Sequence, residues 1–174
     1  MSKKRKILLV VIWLICLYYL FTVTNNFLAD VSYTKGTSEG SISDLQDAIK
    51  LNPNEPAYLR NLGLGLSSVY KNETETTSKE AIKNQAVLAL KAAYNLNPRN
   101  LLTLKSVKLG LENLDEAKSA YALSFEMIEI SPTDPTLWYE KAKSEKILGM
   151  LEESAKSYEK TLELRRDLTA FPPL

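Results

Sequence analysis

The chain contains no histidine. That excludes serine–histidine and cysteine–histidine nucleophile schemes and any metal site built on imidazole. Cysteine occurs once, as Cys16, inside an apolar run; a lone thiol permits neither an intramolecular disulfide nor a cysteine-based zinc site. Glycine is sparse, and no glycine-rich loop of the kind that cradles phosphate is present. Net charge is small as well. The 22 basic residues face 21 acidic ones, so no overall field draws the chain to nucleic acid. The sequence offers no catalytic residue, no cofactor site and no metal site, and the expectation is a protein that is not an enzyme.

What is present is unevenly arranged. Lys3, Lys4, Arg5 and Lys6 come first, and no acid appears before Asp30; from Asn25 onward 18 basic residues face 21 acidic ones. Between them, Ile7 to Val23 is a run of 17 residues without charge, glycine or proline. At about 1.5 Å per residue, a helix of that length just spans a hydrocarbon core of about 30 Å. A cleaved signal peptide fits less well, because its apolar region is usually about 7–15 residues and ends at a small-x-small site. Residues 1–6 are therefore expected to be a basic cytoplasmic N-terminus and residues 7–24 a single transmembrane helix. By the positive-inside rule the remaining chain is extracytoplasmic. Cys16 is expected to face lipid.

Residues 25–42 are polar, carry Gly36 and Gly40 with several serines and threonines, and read as a linker. Beyond them an echo appears: Leu51-Asn52-Pro53, Leu96-Asn97-Pro98 and Ile130-Ser131-Pro132. Pro98 and Pro132 are 34 residues apart, and around them small and large apolar residues recur in register. The clearest unit holds Trp138, Ala142, Gly149, Ser154 and Tyr158; the middle one holds Leu104, Val107, Leu111, Ala120 and Met127; the first holds Leu59, Leu62, Gly63, Leu66, Ala86, Leu90 and Ala93. Period and pattern resemble the tetratricopeptide repeat. The expected fold is all-α, one N-terminal transmembrane helix followed by a short solenoid of antiparallel helix pairs. Its array occupies residues 43–168, with a lone helix at 43–51, repeats at 56–98, 101–132 and 135–168, and a tail at 169–174.

Boundary signals accompany the period. Asp134-Pro135 reads as an N-cap followed by proline at the first helical position. Ser43-x-x-Gln46 and Thr77-x-x-Glu80 read as capping boxes. Glu152-Glu153 and Asp115-Glu116 stand where second helices begin and suit the positive helix end. Leu59 to Ala86 exceeds the spacing in the other units by 11 residues, an insertion expected in the polar run Lys71–Ser78. Since repeats normally need a polar outer face at each terminus, the side of the last helix bearing Leu151, Ala155 and Leu162 is expected to be partly exposed, covered by Phe171 and Leu174, or open to self-association.

A narrower stretch, from Ile7 to about Gly63, resembles the C-terminal tail of bacterial O-antigen ligase or polymerase-like membrane proteins. The matching residues are Leu28-Ala29-Asp30-Val31, Tyr33, Lys35-Gly36, Asp44-Leu45-Gln46, Ala48-Ile49, and Leu51 through Pro56 with Tyr58. The resemblance implies a setting in cell-envelope polysaccharide assembly, or a detached, non-catalytic tail or subunit of such an enzyme. Those enzymes have many spans and act on lipid-linked glycan through a large extracytoplasmic loop; this chain has one span and none of that loop, so no catalytic residue carries over.

In tetratricopeptide arrays the first helix of each unit lines a concave groove. The helical period places Arg60, Lys105 and Tyr139 at equivalent inner positions, then Leu64, Leu109 and Lys143, then Ser67, Glu112 and Lys146. Such a surface leans basic and is expected to hold a protein or peptide partner, through an acidic segment or a chain-terminal carboxylate bound by Arg60 and Lys105, with Tyr139 available for stacking. Trp138 is expected to fill the core. Lys141-Glu145 reads as an ordinary solvated helix pair. The partners expected are thus a protein or peptide and the membrane, not nucleic acid.

Overall fold

Residues 3–164 are described by a computed structural model, and every regular element among them is a helix. The first, α1 (Lys3–Glu39), runs 37 residues, about 55 Å. Its apolar side chains from Ile7 to Val23 stand exposed. By length and composition it is long and apolar enough to cross a membrane.

The linker expected at 25–42 is not formed, because α1 continues unbroken through Glu39. Thr24, Thr34 and Thr37 donate their hydroxyls to carbonyls four residues earlier, at 2.8, 2.8 and 3.0 Å. A polar run that satisfies its hydroxyls within the helix need not leave it. Gly36 permits close packing rather than flexibility: a Cβ there would lie 2.9 Å from the backbone nitrogen of Leu45. Gly40, at φ +69°, ends the helix in the left-handed conformation.

The next helix, α2 (Ile42–Leu51), therefore has a partner. Ala29 of α1, Ala48 of α2 and Tyr58 form a small core to which Tyr33, Ile49 and Leu51 add. Six further helices follow: α3 (Pro56–Asn72), α4 (Thr76–Leu96), α5 (Leu101–Asn113), α6 (Ala117–Ile130), α7 (Pro135–Ile147) and α8 (Leu151–Leu164). They pack as successive pairs, α3 with α4, α5 with α6 and α7 with α8, and each pair stacks on the next. The main core runs through Leu66, Leu90, Leu104, Leu114, Met127 and Leu137.

The caps fall partly where the sequence puts them. Asp134 accepts from the Thr136 amide at 2.9 Å, with Pro135 opening α7. Asn100 accepts from the Thr103 amide at 2.9 Å and opens α5. The two capping boxes do not form. Ser41, not Ser43, caps α2 through the Asp44 amide, and Thr77 already lies inside α4. Nor is the insertion a loop: it lengthens α3 and α4 to 17 and 21 residues and leaves a three-residue turn, 73–75. Glu73 holds that turn by accepting from the amides of Thr74 and Glu75 at 2.8 and 2.9 Å, which lowers its pKa below the ordinary glutamate value. Glu152 and Glu153 do lie in the first turn of α8, whereas Glu116 stands at the N-cap of α6 with its carboxylate turned to Lys83 at 2.6 Å and not to the helix amides. Leu151 and Ala155 are exposed and Leu162 half-buried. Phe171, Leu174 and the tail at 169–174 lie outside the described residues.

Candidate functional site

Three of the nine inner positions meet in one place. Lys105, Leu109 and Glu112, spaced along one side of α5, line a cavity of about 290 Å³ that Thr136, Leu137 and Glu140 of α7 close from the other side. Met127 of α6 contributes to its wall. Leu137 and Met127 are buried and Leu109 is exposed, so the cavity offers apolar walls with charges set around them.

The charge that dominates it is one the helical projection did not select. Lys108 is only 4% exposed, and its Nζ lies 2.5 Å from Glu112 Oε1 and 3.8 Å from Glu140 Oε2. A cation that far from water requires partners, and these two carboxylates supply them. The Lys108-x-x-x-Glu112 spacing was the available signal, since residues four apart are neighbours on a helix. Lys105 lies 3.9 Å from Asp134, and Lys143 lies 3.1 Å from Glu140. Lys105 and Lys143, two of the four basic residues projected onto the groove, thus face carboxylates of their own chain.

The other predicted positions disperse. Arg60 and Leu64 sit half-buried on α3 and do not line this cavity; nor does Lys146, which is exposed. Ser67 is fully buried, donating to the Leu64 carbonyl at 2.8 Å and accepting from Asn113 of α5 at 3.3 Å, so it joins two helices instead of facing a groove. Tyr139 packs beside Tyr158, ring centroids 6.3 Å apart, with Lys143 Nζ 5.8 Å from its ring centroid. Trp138 is half-buried and donates its indole N–H to the Pro132 carbonyl at 2.8 Å, tying α7 to the preceding turn.

A second polar cluster lies between α6, α7 and α8. Glu145 is fully buried, and its Oε1 meets Lys141 Nζ at 2.5 Å and the Tyr121 hydroxyl at 3.0 Å. Lys141 also reaches Ser157 of α8 at 2.9 Å and lies 5.2 Å from the Phe125 ring centroid. The Lys141–Glu145 pair is therefore a buried link between repeats, not a solvated surface pair. Burial, then the bond to Glu145, pushes the Tyr121 phenol up to about 12.

Helix pairs that stack with small residues at the crossings and a polar turn at each repeat define a recognisable architecture. Residues 135–168 match the family model of the tetratricopeptide repeat. Among solved structures, a thermophilic TPR protein of Thermus thermophilus superposes with a TM-score of 0.64 at 19% identity, covering 84% of this chain and 75% of that one. The crystal structure of MamA gives 0.61 at 20% identity, covering 82% and 77%. MamA from Desulfovibrio magneticus RS-1 gives 0.59 at 15%, covering 83% and 75%. The fold is a tetratricopeptide solenoid. No curated protein matches the chain.

Proposed function

We propose that this chain is a membrane-anchored interaction module, with its solenoid displayed on the extracytoplasmic side and a protein partner bound in the cavity between α5 and α7. The observation that carries the reading is the continuity of α1. The same helix that exposes an apolar run at Ile7–Val23 packs against α2 and α3 from Ala29 onward, so the array is joined rigidly to the helix suited to cross the bilayer. The basic residues at 3–6 favour an N-terminus in the cytoplasm.

The cavity volume of about 290 Å³ is at the lower edge of the roughly 300–1,000 Å³ typical of small-molecule pockets. That suits a large apolar side chain presented by a peptide, held by Leu109, Met127 and Leu137, with Lys105 and Thr136 at the rim. Anchoring raises the module's effective concentration near other membrane proteins, so a weak groove contact suffices for capture. The resemblance of residues 7–63 adds a partner class to seek, a multi-span glycan-handling membrane protein.

The test is a photo-crosslinking amino acid at position 109 in the full-length protein, followed by recovery from its native membrane. A protein adduct that forms at position 109 but not at position 74, and that is lost when Thr136→Trp fills the cavity from its exposed rim, supports the groove. Recovery of a glycan-handling partner supports the polysaccharide setting, and recovery of an unrelated partner removes that setting while keeping the module. No adduct at position 109 above the level at position 74 overturns the reading.

A further inference from the structure

The continuity of α1 fixes more than attachment; it fixes which edge of the solenoid meets the bilayer. We infer that the turns between repeats form a lipid-facing edge, on which Leu96, Arg99 and Leu102 rest in the headgroup layer. This inference rests on α1 being a membrane span.

The height follows from helix arithmetic. The apolar run ends at Val23, and exposed apolar side chains continue at Phe27 and Leu28. From Ile7 to Val23 a helix rises about 25 Å and from Ile7 to Leu28 about 33 Å, so the edge of a hydrocarbon core of about 30 Å falls between those residues. Asp30 then stands about 3–10 Å beyond that edge, and the headgroup layer is about 5–7 Å deep on each side. Asp30 is where the array begins: the Tyr58 hydroxyl donates to its carboxylate, and the rings of Tyr33 and Tyr58 lie 4.8 Å apart. The first turn of α3 is thereby held at headgroup height.

The direction follows from contacts. Tyr58 meets Asp30 while Asn61 meets Tyr33 at 2.5 Å, so α3 runs parallel to α1, away from the membrane. In an antiparallel stack α5 and α7 start on the same edge as α3, and α2, α4 and α6 end there. That edge gathers the turns at 52–55, 97–100 and 131–134. The middle turn is unlike an ordinary polar corner. Leu96 closes α4 at 43% exposure, Leu102 opens α5 at 59%, and exposed Arg99 lies between them. Single exposed leucines are common on protein surfaces. Two of them flanking a cation, on the edge that the span delivers to headgroup height, match the interface's mixture of acyl chains and phosphate.

The experiment uses full-length protein in vesicles of phosphatidylcholine and phosphatidylglycerol, with Cys16→Ser removing the native thiol. Single variants Leu102→Cys, Thr74→Cys and Ile15→Cys carry an environment-sensitive fluorophore. A headgroup spin-labelled lipid is expected to quench position 102 at least twofold more than position 74, which lies on the opposite edge. An acyl-chain spin label is expected to quench position 15. Equal, weak quenching at 102 and 74 alongside strong quenching at 15 overturns the lipid-facing edge and leaves the anchor standing. Absence of quenching at 15 overturns the anchor, and the edge with it.

Discussion

Leu90 of α4 occupies the space that a side chain at Gly63 of α3 would need. A Cβ at Gly63 would come within 2.6 Å of the Leu90 side chain and 3.2 Å of its backbone nitrogen. Gly110 of α5 meets the same leucine from the other side, at 2.7 Å. One fully buried leucine thus sets the approach of two successive first helices. Gly63→Ala is expected to destabilise the solenoid by about 1–3 kcal/mol, as overpacking does. Leu90→Ala is expected to cost about 2–5 kcal/mol through the cavity it leaves. The double variant should be less damaged than the sum, since the alanine methyl then enters space that Leu90 vacated. Denaturant unfolding of the four proteins checks this, and strict additivity would show that Leu90 and Gly63 do not share the space.

The join between α1 and the array has its own asymmetry. Tyr58 is buried, whereas Asp30 is exposed and can be hydrated. Tyr58→Phe removes a hydroxyl and leaves a solvated carboxylate, a loss of about 0.5–1.5 kcal/mol; Asp30→Ala strands a buried hydroxyl and should cost more, about 1–3 kcal/mol. Hydrogen exchange at the amides of α2 and the first turn of α3 measures both. Asp30→Ala is expected to speed exchange there more than Tyr58→Phe does, with α7 and α8 unchanged.

Much of this fold is legible in the amino-acid sequence. The 34-residue spacing of the prolines, the apolar register and the Asp134-Pro135 cap are local signals, and the structure places helices where they fall. The second half of α1 was illegible for a specific reason. Threonine, serine and glycine are statistically loop residues, and nothing in their order reveals that Thr34 and Thr37 bond back into the helix or that Gly36 faces Leu45. With that half unread, α2 looked unpaired. In the cavity, Lys105, Leu109 and Glu112 came from simple periodicity, but the period steps from 105 to 109 to 112 and says nothing of how deeply a neighbouring charge is buried. It therefore passed over Lys108 and placed Lys141–Glu145 in solvent, since burial of an ion pair depends on the neighbouring repeat.

Alkaline pH tests the tyrosine contacts together. Tyr70 and Tyr121 are raised from the ordinary value of 10.0 first by burial and then by bonds to Asp115 and Glu145; Tyr94 is raised first by its bond to Glu126. A raised folded-state pKa means that the neutral phenol is favoured by folding. The stability it contributes is whole below about pH 10, where the unfolded phenol begins to ionise, and is lost as pH rises through the folded value, about 12 for Tyr121. Helix content followed by circular dichroism against denaturant is expected to be steady from pH 8 to 9.5 and to fall between pH 10 and 12. Tyr121→Phe should flatten part of that fall, and an unchanged profile would show that the phenol's environment does not change on folding.

The link between the last two repeats should fail in a manner typical of a buried charge. Glu145 has no exposed surface, and its Oε1 depends on Lys141 and Tyr121. Its other oxygen, Oε2, is buried without a hydrogen-bond partner among the described residues, so the carboxylate already carries a desolvation cost that Lys141 offsets. Lys141→Met removes the offset and is expected to destabilise the α7–α8 pair by about 3–5 kcal/mol. Glu145→Gln in the same chain removes the stranded charge while keeping an acceptor for Tyr121, and should restore more than half of the loss. Because repeats in a solenoid unfold through nearest-neighbour terms, the damage should be local. Hydrogen exchange is therefore expected to accelerate in α7 and α8 of the single variant, to recover in the double variant, and to remain unchanged in α3 and α4. Equal damage in single and double variants would mean that Lys141 acts through its packing on Phe125 and Trp138, 5.2 and 5.7 Å from its ammonium, and not through the charge on Glu145.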